Sequence, residues 1–180
     1  MPGRDLIVGR ANGFGRWAFH PEFMLLELPY SAGRLTMVVL LPVKRCCLRE
    51  VETALTADKL SDALSRLKVA KVDVSLPRWR SKSRFELKEP LQVMGMSRPF
   101  SEQANFSEIT SGTKLRIKDV IHEGAIDVDE MGTIVTAATA AVMNTESASP
   151  SFRADHPFLF MIRDAVSGAI LFLGKVNDPK

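Results

Sequence analysis

The chain has 180 residues, of which 46% are apolar and 25% charged, with a formal net charge of +3. That length can bury the core of one domain, and the mild positive charge is far from the balance of a nucleic-acid-binding protein. No apolar run approaches the roughly 18 residues of a membrane span, and residues 1–10 lack the apolar centre of a signal peptide.

Residues 1–16, with glycines at 3, 9, 13 and 15, are read as irregular. Phe23–Tyr30 and Leu35–Leu41 are nearly continuous apolar runs joined by a short turn containing Gly33, which predicts a hairpin buried on both faces. Leu48, Val51 and Leu55 recur at helical spacing, and Thr56 is placed to cap a second helix with a Leu60, Leu64, Leu67 stripe. From Lys71 to Leu76 the pattern alternates strictly, which predicts one half-exposed strand.

Arg78, Arg80, Lys82 and Arg84 continue at period two and would form a basic edge on an extended chain. A sulfated, heparin-like polysaccharide is one partner for such an edge. The plainer reading is a charged strand margin that discourages edge-to-edge pairing. Phe85–Leu91 is read as a short strand ended by Pro90, with Leu91, Met94 and Phe100 as core residues. Leu115–Asp129 is read as one long strand, bent because Leu115 and Ile117 fall on odd positions and Ile126 and Val128 on even ones. Phe158–Ile162 and Ala169–Val176 form a second hairpin, apolar enough to predict a central position.

Nothing here points to catalysis. His122-Glu123 opens like a zinc-protease motif, but Ile126 stands where the second imidazole is needed. Asp155-His156 has no G-x-S-x-G elbow to supply a nucleophile. Cys46 and Cys47 are adjacent, which makes a strained disulfide and, with no histidine close in sequence, a poor metal site. They are read as two free thiols on a loop. No catalytic residue, metal or cofactor is expected.

Between the last two apolar regions lies Glu130–Pro157. Thr133–Val142 is built only of Thr, Ile, Val and Ala, and Asn144–Ser151 is polar. A connection this long inside a domain is usually functional or disordered, and one able to become a strand is a hazard unless it is used.

At these residues the sequence resembles the serpin family. Glu130-Met131-Gly132-Thr133 and the small-residue run that follows look like the hinge of a reactive-centre loop. Phe152-Arg153-Ala154-Asp155-His156-Pro157-Phe158 looks like the family's C-terminal signature. The match reaches back through Asn105–Ile109 and Leu91–Met96 to Leu28-Pro29-Tyr30 and Val39–Pro42. The resemblance implies an α+β, serpin-like fold of mostly antiparallel sheets with a few short helices. It also implies that residues 1–180 are the C-terminal portion of a serpin domain, with the reactive-centre loop at about 130–151.

Inhibitory serpins are spring-loaded substrates: a serine protease attacks the loop, and the loop's N-terminal part then inserts into a sheet, carrying the protease with it. The resemblance places the hinge at Glu130, Gly132, Thr133, Thr136, Ala137 and Ala138, and the reactive bond at Glu146-Ser147, with Met143 as an alternative cut position. His122 takes the place of a histidine that holds the sheet closed. The implied partner is a serine protease accepting an acidic residue. Met131, Ile134 and Val135 are bulkier than the usual hinge residues and keep a non-inhibitory carrier or chaperone as the alternative. The family's upstream half is not matched, so insertion is not expected to complete within this chain. The implied parent protein is extracellular, with an intracellular one as the alternative; neither nucleic acid nor membrane is expected as a partner.

Overall fold

The computed structural model describes residues 14–30, 33–110, 112–128 and 150–179. Of these, residues 14–79 with 128 and 150–179 belong to one compact unit and residues 80–127 to another.

The first unit is organised by the hairpin of β2 (Phe23–Pro29) and β3 (Leu35–Pro42), paired antiparallel from Phe23↔Pro42 to Pro29↔Thr36. Both strands are apolar at almost every position because both faces are covered: Leu25, Leu26, Val38, Val39, Leu40 and Leu41 are all buried. Burying each such side chain contributes roughly 1.5–3 kcal/mol relative to leaving it in water. Tyr30 N–H donates to the Leu35 carbonyl and Gly33 N–H to the Tyr30 carbonyl across the turn, and Gly33 has φ +70°, which glycine adopts without strain.

Around this hairpin β1 (Phe14–Phe19), β4 (Lys68–Lys71), β9 (Phe158–Asp164) and β10 (Ile170–Val176) complete an antiparallel sheet of order β10-β9-β3-β2-β1-β4. On one face Leu25, Val38, Leu40, Leu159 and Met161 pack with Leu48 and Val51 of α1 (Leu48–Ala54) and with Ala63 of α2 (Ala57–Ser65). Thr56 caps α2, its hydroxyl accepting from the Lys59 N–H at 3.2 Å. Separately, β5 (Asp73–Ser75) pairs in parallel with β8 (Ser151–Arg153).

The second unit is built on β6 (Trp79–Glu86) and β7 (Ile121–Val128), which pair as a two-stranded sheet. The contacts Arg80–Asp127, Arg84–Glu123 and Leu87–Val120 run in opposite senses, so the ladder is antiparallel. α3 (Lys88–Val93) and a 3₁₀ turn at Arg98–Phe100 follow β6.

Several sequence expectations are corrected. Residues 14–19 form a strand rather than an irregular start, and Gly15 within it packs closely on β2, where a Cβ would stand 3.3 Å from Leu26 Cδ1. The alternating segment breaks at buried Val72, one part joining the large sheet and the other leaving to meet β8. Pro90 sits in the first turn of α3, where its missing N–H costs no helical bond. Met94 is 82% exposed rather than core, whereas Phe100 is buried as expected. The strand before the loop begins at Ile121, and the parity mismatch lies upstream of it. β10 stands at the edge of its sheet rather than its centre. Among the described residues no helix is long and apolar enough to cross a membrane.

Candidate functional site

The hinge and reactive-bond residues Glu130, Gly132, Thr133, Thr136, Ala137, Ala138, Glu146 and Ser147 lie outside the described residues, as do Met131, Ile134, Val135 and Met143. What the structure places is the pair of strands on either side of residues 129–149.

The upstream strand is β7. Val128 is buried, Gly124 and Ile126 are half-buried, and the remaining positions are exposed. His122 is one of the exposed residues. The basic residues of β6 alternate outward as expected, with Arg80, Lys82 and Arg84 exposed. Two of them face acids on β7: Arg80 Nε donates to Asp127 Oδ2 at 2.7 Å, and Arg84 Nη1 to Glu123 Oε1 at 2.9 Å. Arg78 precedes β6 and belongs to the first unit. The predicted edge is therefore divided between units and partly neutralised.

The downstream side is held far more firmly. Asp73 N–H donates to the Pro150 carbonyl and Ala154 N–H to the Ser75 carbonyl, both at 2.9 Å, so β8 is bonded to β5 from its first residue to beyond its last. Phe152 and Ala154 are fully buried. A clasp follows. His156, itself buried, has Nδ1 2.9 Å from Asp155 Oδ1 and Nε2 2.7 Å from the Pro42 carbonyl oxygen at the end of β3. Both partners offer acceptor oxygens, so a ring N–H on either side has a partner. Arg45 pairs with Asp155 from the far side, and Arg153 Nε stands 3.4 Å from the same carboxylate. The His156 hydrogen bond, reinforced by Arg45, holds the Asp155 carboxyl below the usual range against the opposing effect of burial.

Sequence reasoning quoted Asp155-His156 as part of a motif but missed the clasp. Arg45 is 110 residues from Asp155, and the Pro42 acceptor is backbone, so no local pattern announces either. A second polar group missed in the sequence is Glu27, buried within apolar β2. It accepts from Arg16 Nη1 at 2.8 Å and Thr36 Oγ1 at 3.2 Å, and Arg163 Nη2 lies 3.3 Å away. The thiols of Cys46 and Cys47 are free, as expected, and lie 3.7 Å apart. The Cys47 thiol is pushed up to about 11, first by its hydrogen bond to Glu50 and then by burial and by Cys46.

Residues 11–179 match the family model described as serpin (serine protease inhibitor). The chain belongs to the serpin family. It is 39% identical over 157 residues to intracellular coagulation inhibitor 2 of Tachypleus tridentatus, an alignment covering 86% of this chain and 38% of that protein. The crystal structure of uncleaved ovalbumin superposes with a TM-score of 0.72 at 32% identity, covering 91% of this chain and 42% of that one. Thyroxine-binding globulin in complex with thyroxine superposes with a TM-score of 0.73 at 26% identity, covering 93% and 44%. This serpin chain thus spans about two-fifths of the length of the proteins it matches. The antiparallel sheets and few short helices expected of a partial serpin fold are those observed.

Proposed function

We propose that this chain carries the reactive loop of a serpin that inhibits a serine protease as a suicide substrate, with the cut at Glu146-Ser147. Besides family membership, one observation carries the reading: the chain is pinned at Pro150, Phe152 and His156, immediately beyond the proposed bond. A loop presented to a protease needs one fixed end. After cleavage, residues 132–146 are free of that end. Extended at about 3.3 Å per residue they span roughly 50 Å, enough to carry a protease across the body of a domain. Each backbone hydrogen bond gained on insertion contributes about 1 kcal/mol net, summed over many bonds.

Glu146 before the cut selects a protease with a basic specificity pocket by direct charge pairing. His122 is assigned a structural role on β7 rather than a catalytic one, and the chain is an inhibitor rather than an enzyme. A loop that meets secreted proteases places the parent protein outside the cell; the name of the Tachypleus relative favours the intracellular alternative.

The test is incubation of the purified chain with a Glu-specific serine protease and with an elastase-like one, followed by a denaturing gel and N-terminal sequencing. The expected product begins at Ser147; survival of that bond under the Glu-specific enzyme overturns the assignment. A band at the summed mass of chain and protease marks a trapped ester, and clean cleavage without it favours the carrier reading. The likeness to a thyroxine complex favours that second reading, together with Ile134 and Val135 in the insertion segment. A heparin-like polysaccharide on Arg78, Arg80, Lys82 and Arg84 is compatible with either, and is tested by salt-sensitive retention on heparin.

A further inference from the structure

Cys46 and Cys47 are placed to act together. They sit between the end of β3 and the start of α1, with Cys46 exposed and Cys47 partly so. Their sulfurs are 3.7 Å apart and point to the same side of the chain. With bonds of about 2.3 Å to sulfur, a tetrahedral ion holds two sulfurs about 3.8 Å apart and pyramidal trivalent arsenic, with its near-right-angled bonds, about 3.3 Å apart. At 3.7 Å the pair is spaced for the first and has to close by only about 0.4 Å, a small side-chain rotation, for the second.

A disulfide is the competing fate, and local geometry disfavours it. Neighbouring Cα atoms across a trans peptide are about 3.8 Å apart, below the roughly 4.4–6.8 Å that an unstrained bridge requires. No cis peptide bond is present among the described residues. The dithiol form is consequently the one that persists. Glu50, in the first turn of α1, is the carboxylate that neighbours the Cys47 thiol. Cys46 and Glu50 also line one shallow surface groove with Arg49, Thr53 and Ala54, so an approaching group meets open space on the Cys46 side.

We propose that Cys46 and Cys47 form a dithiol chelate site for a thiophilic centre that bonds two sulfurs at once, of the class of trivalent arsenic and the soft d10 cations. The protein supplies two donors, so the ligand is one whose remaining positions are filled by its own substituents or by water. For a mono-substituted arsenical the step balances without an oxidant. The As=O group and two S–H groups give two As–S bonds, and both thiol protons leave with the oxygen as one water. The loop that holds the dithiol also carries Arg45, the partner of Asp155, so the site adjoins the clasp described above.

The probe is phenylarsine oxide, and the readout is the intact mass of the full chain. One adduct per chain is expected, of a mass reduced by one water, resisting a large excess of the monothiol 2-mercaptoethanol and removed by the dithiol 2,3-dimercaptopropanol. Monothiol resistance requires both sulfurs, so Cys46→Ser and Cys47→Ser should each abolish it. The two variants should keep the wild-type urea midpoint to within the scatter of the measurement, because neither thiol is in the core. Failure of the wild-type chain to form a resistant adduct overturns the proposal. So does a resistant adduct in either single variant, which shows that the pair is not the site. The cation arm uses Cd2+ and follows its ultraviolet thiolate charge-transfer band. One ion per chain, lost in both variants, extends the site to soft cations, and its absence beside an arsenical adduct removes the cations from the proposed class.

Discussion

Replacing His156 tests how the chain is held beyond the reactive bond. In His156→Ala the Pro42 carbonyl, buried at the end of β3, loses its donor at 2.7 Å. Leaving a buried acceptor unsatisfied costs about 1–3 kcal/mol. The bond to Asp155 is partly wet, with the Asp155 side chain 19% exposed, so its loss adds only about 0.5–1 kcal/mol. The space left by the ring contributes a further amount of similar size. The sum is about 3 kcal/mol, or roughly 6–12 °C in Tm for a chain of this length. His156→Phe fills the ring volume without donors and should lose about 2 kcal/mol. His156→Gln returns an amide donor towards Pro42 and should lose less than either. Urea unfolding gives the energies. Hydrogen exchange gives the location, with the amides of Asp73 and Ala154 expected to exchange faster while Leu25 and Val38 do not. If His156→Phe unfolds within about 0.5 kcal/mol of wild type, the clasp is packing alone and the hydrogen-bond argument fails.

Glu27→Gln leaves Arg16 and Arg163 without their shared carboxylate inside the sheet and should cost about 3 kcal/mol by urea unfolding, whereas the Glu27→Met, Arg163→Met pair should cost less than Glu27→Gln alone. Gly174→Ala would place a Cβ 2.7 Å from Phe160 Cζ, and Phe160 packs on Trp79 at 5.4 Å between centroids, so it should lose about 1–3 kcal/mol, with Phe160→Leu restoring part of the loss. Asp164 is lowered from 3.8 to about 2, first by Arg34 and then by the N–H groups of Ser167 and Val166. Its contribution is full above the ordinary carboxylate pKa and is lost as pH falls from about 4 towards 2; urea midpoints measured across that window should fall more steeply for wild type than for Asp164→Asn.

What the sequence made legible were elements whose signals are local. The β2–β3 hairpin, the Thr56 cap and the β9–β10 hairpin each declare themselves within a few residues, through apolar runs, a hydroxyl before a leucine stripe, or glycine at positive φ. What stayed hidden depends on distant partners. Val72 looks like one more inward residue of an alternating strand, and only β8, far along the chain, explains why Asp73–Ser75 leaves its neighbours. Pro90 reads as a terminator because proline ends strands, yet it is equally at home in a first helical turn. β10 is apolar enough for a core strand. At the sheet edge Ile170, Leu171, Phe172 and Leu173 are nevertheless exposed, and among the described residues no strand pairs with its far side. The proposed site divides in the same way. The proposed loop is named by motif alone, but the groups that fix the chain beyond it are a backbone carbonyl and an arginine that no motif records.

The two sides of the loop differ in what releasing them would cost, and the proposed mechanism depends on that difference. β7 buries only Val128 and is tied to β6 by its share of a two-stranded backbone ladder and by exposed ion pairs at Arg80 and Arg84, each pair contributing about 0–1 kcal/mol. The other side buries Phe152 and Phe158 completely, threads His156 between β3 and Asp155, and continues into β9, which is paired on both edges. Removing either phenylalanine side chain alone would cost about 3–5 kcal/mol. A cut at Glu146-Ser147 separates these two sides. Under that proposal the chain from Pro150 onward would stay in place, because releasing it would expose Phe152 and Phe158. In the proposed mechanism the rearrangement after the cut is made by the segment ending at Glu146, whose Thr133–Val142 run of Thr, Ile, Val and Ala has the composition of a strand. A protease held as an ester on Glu146 would travel with it.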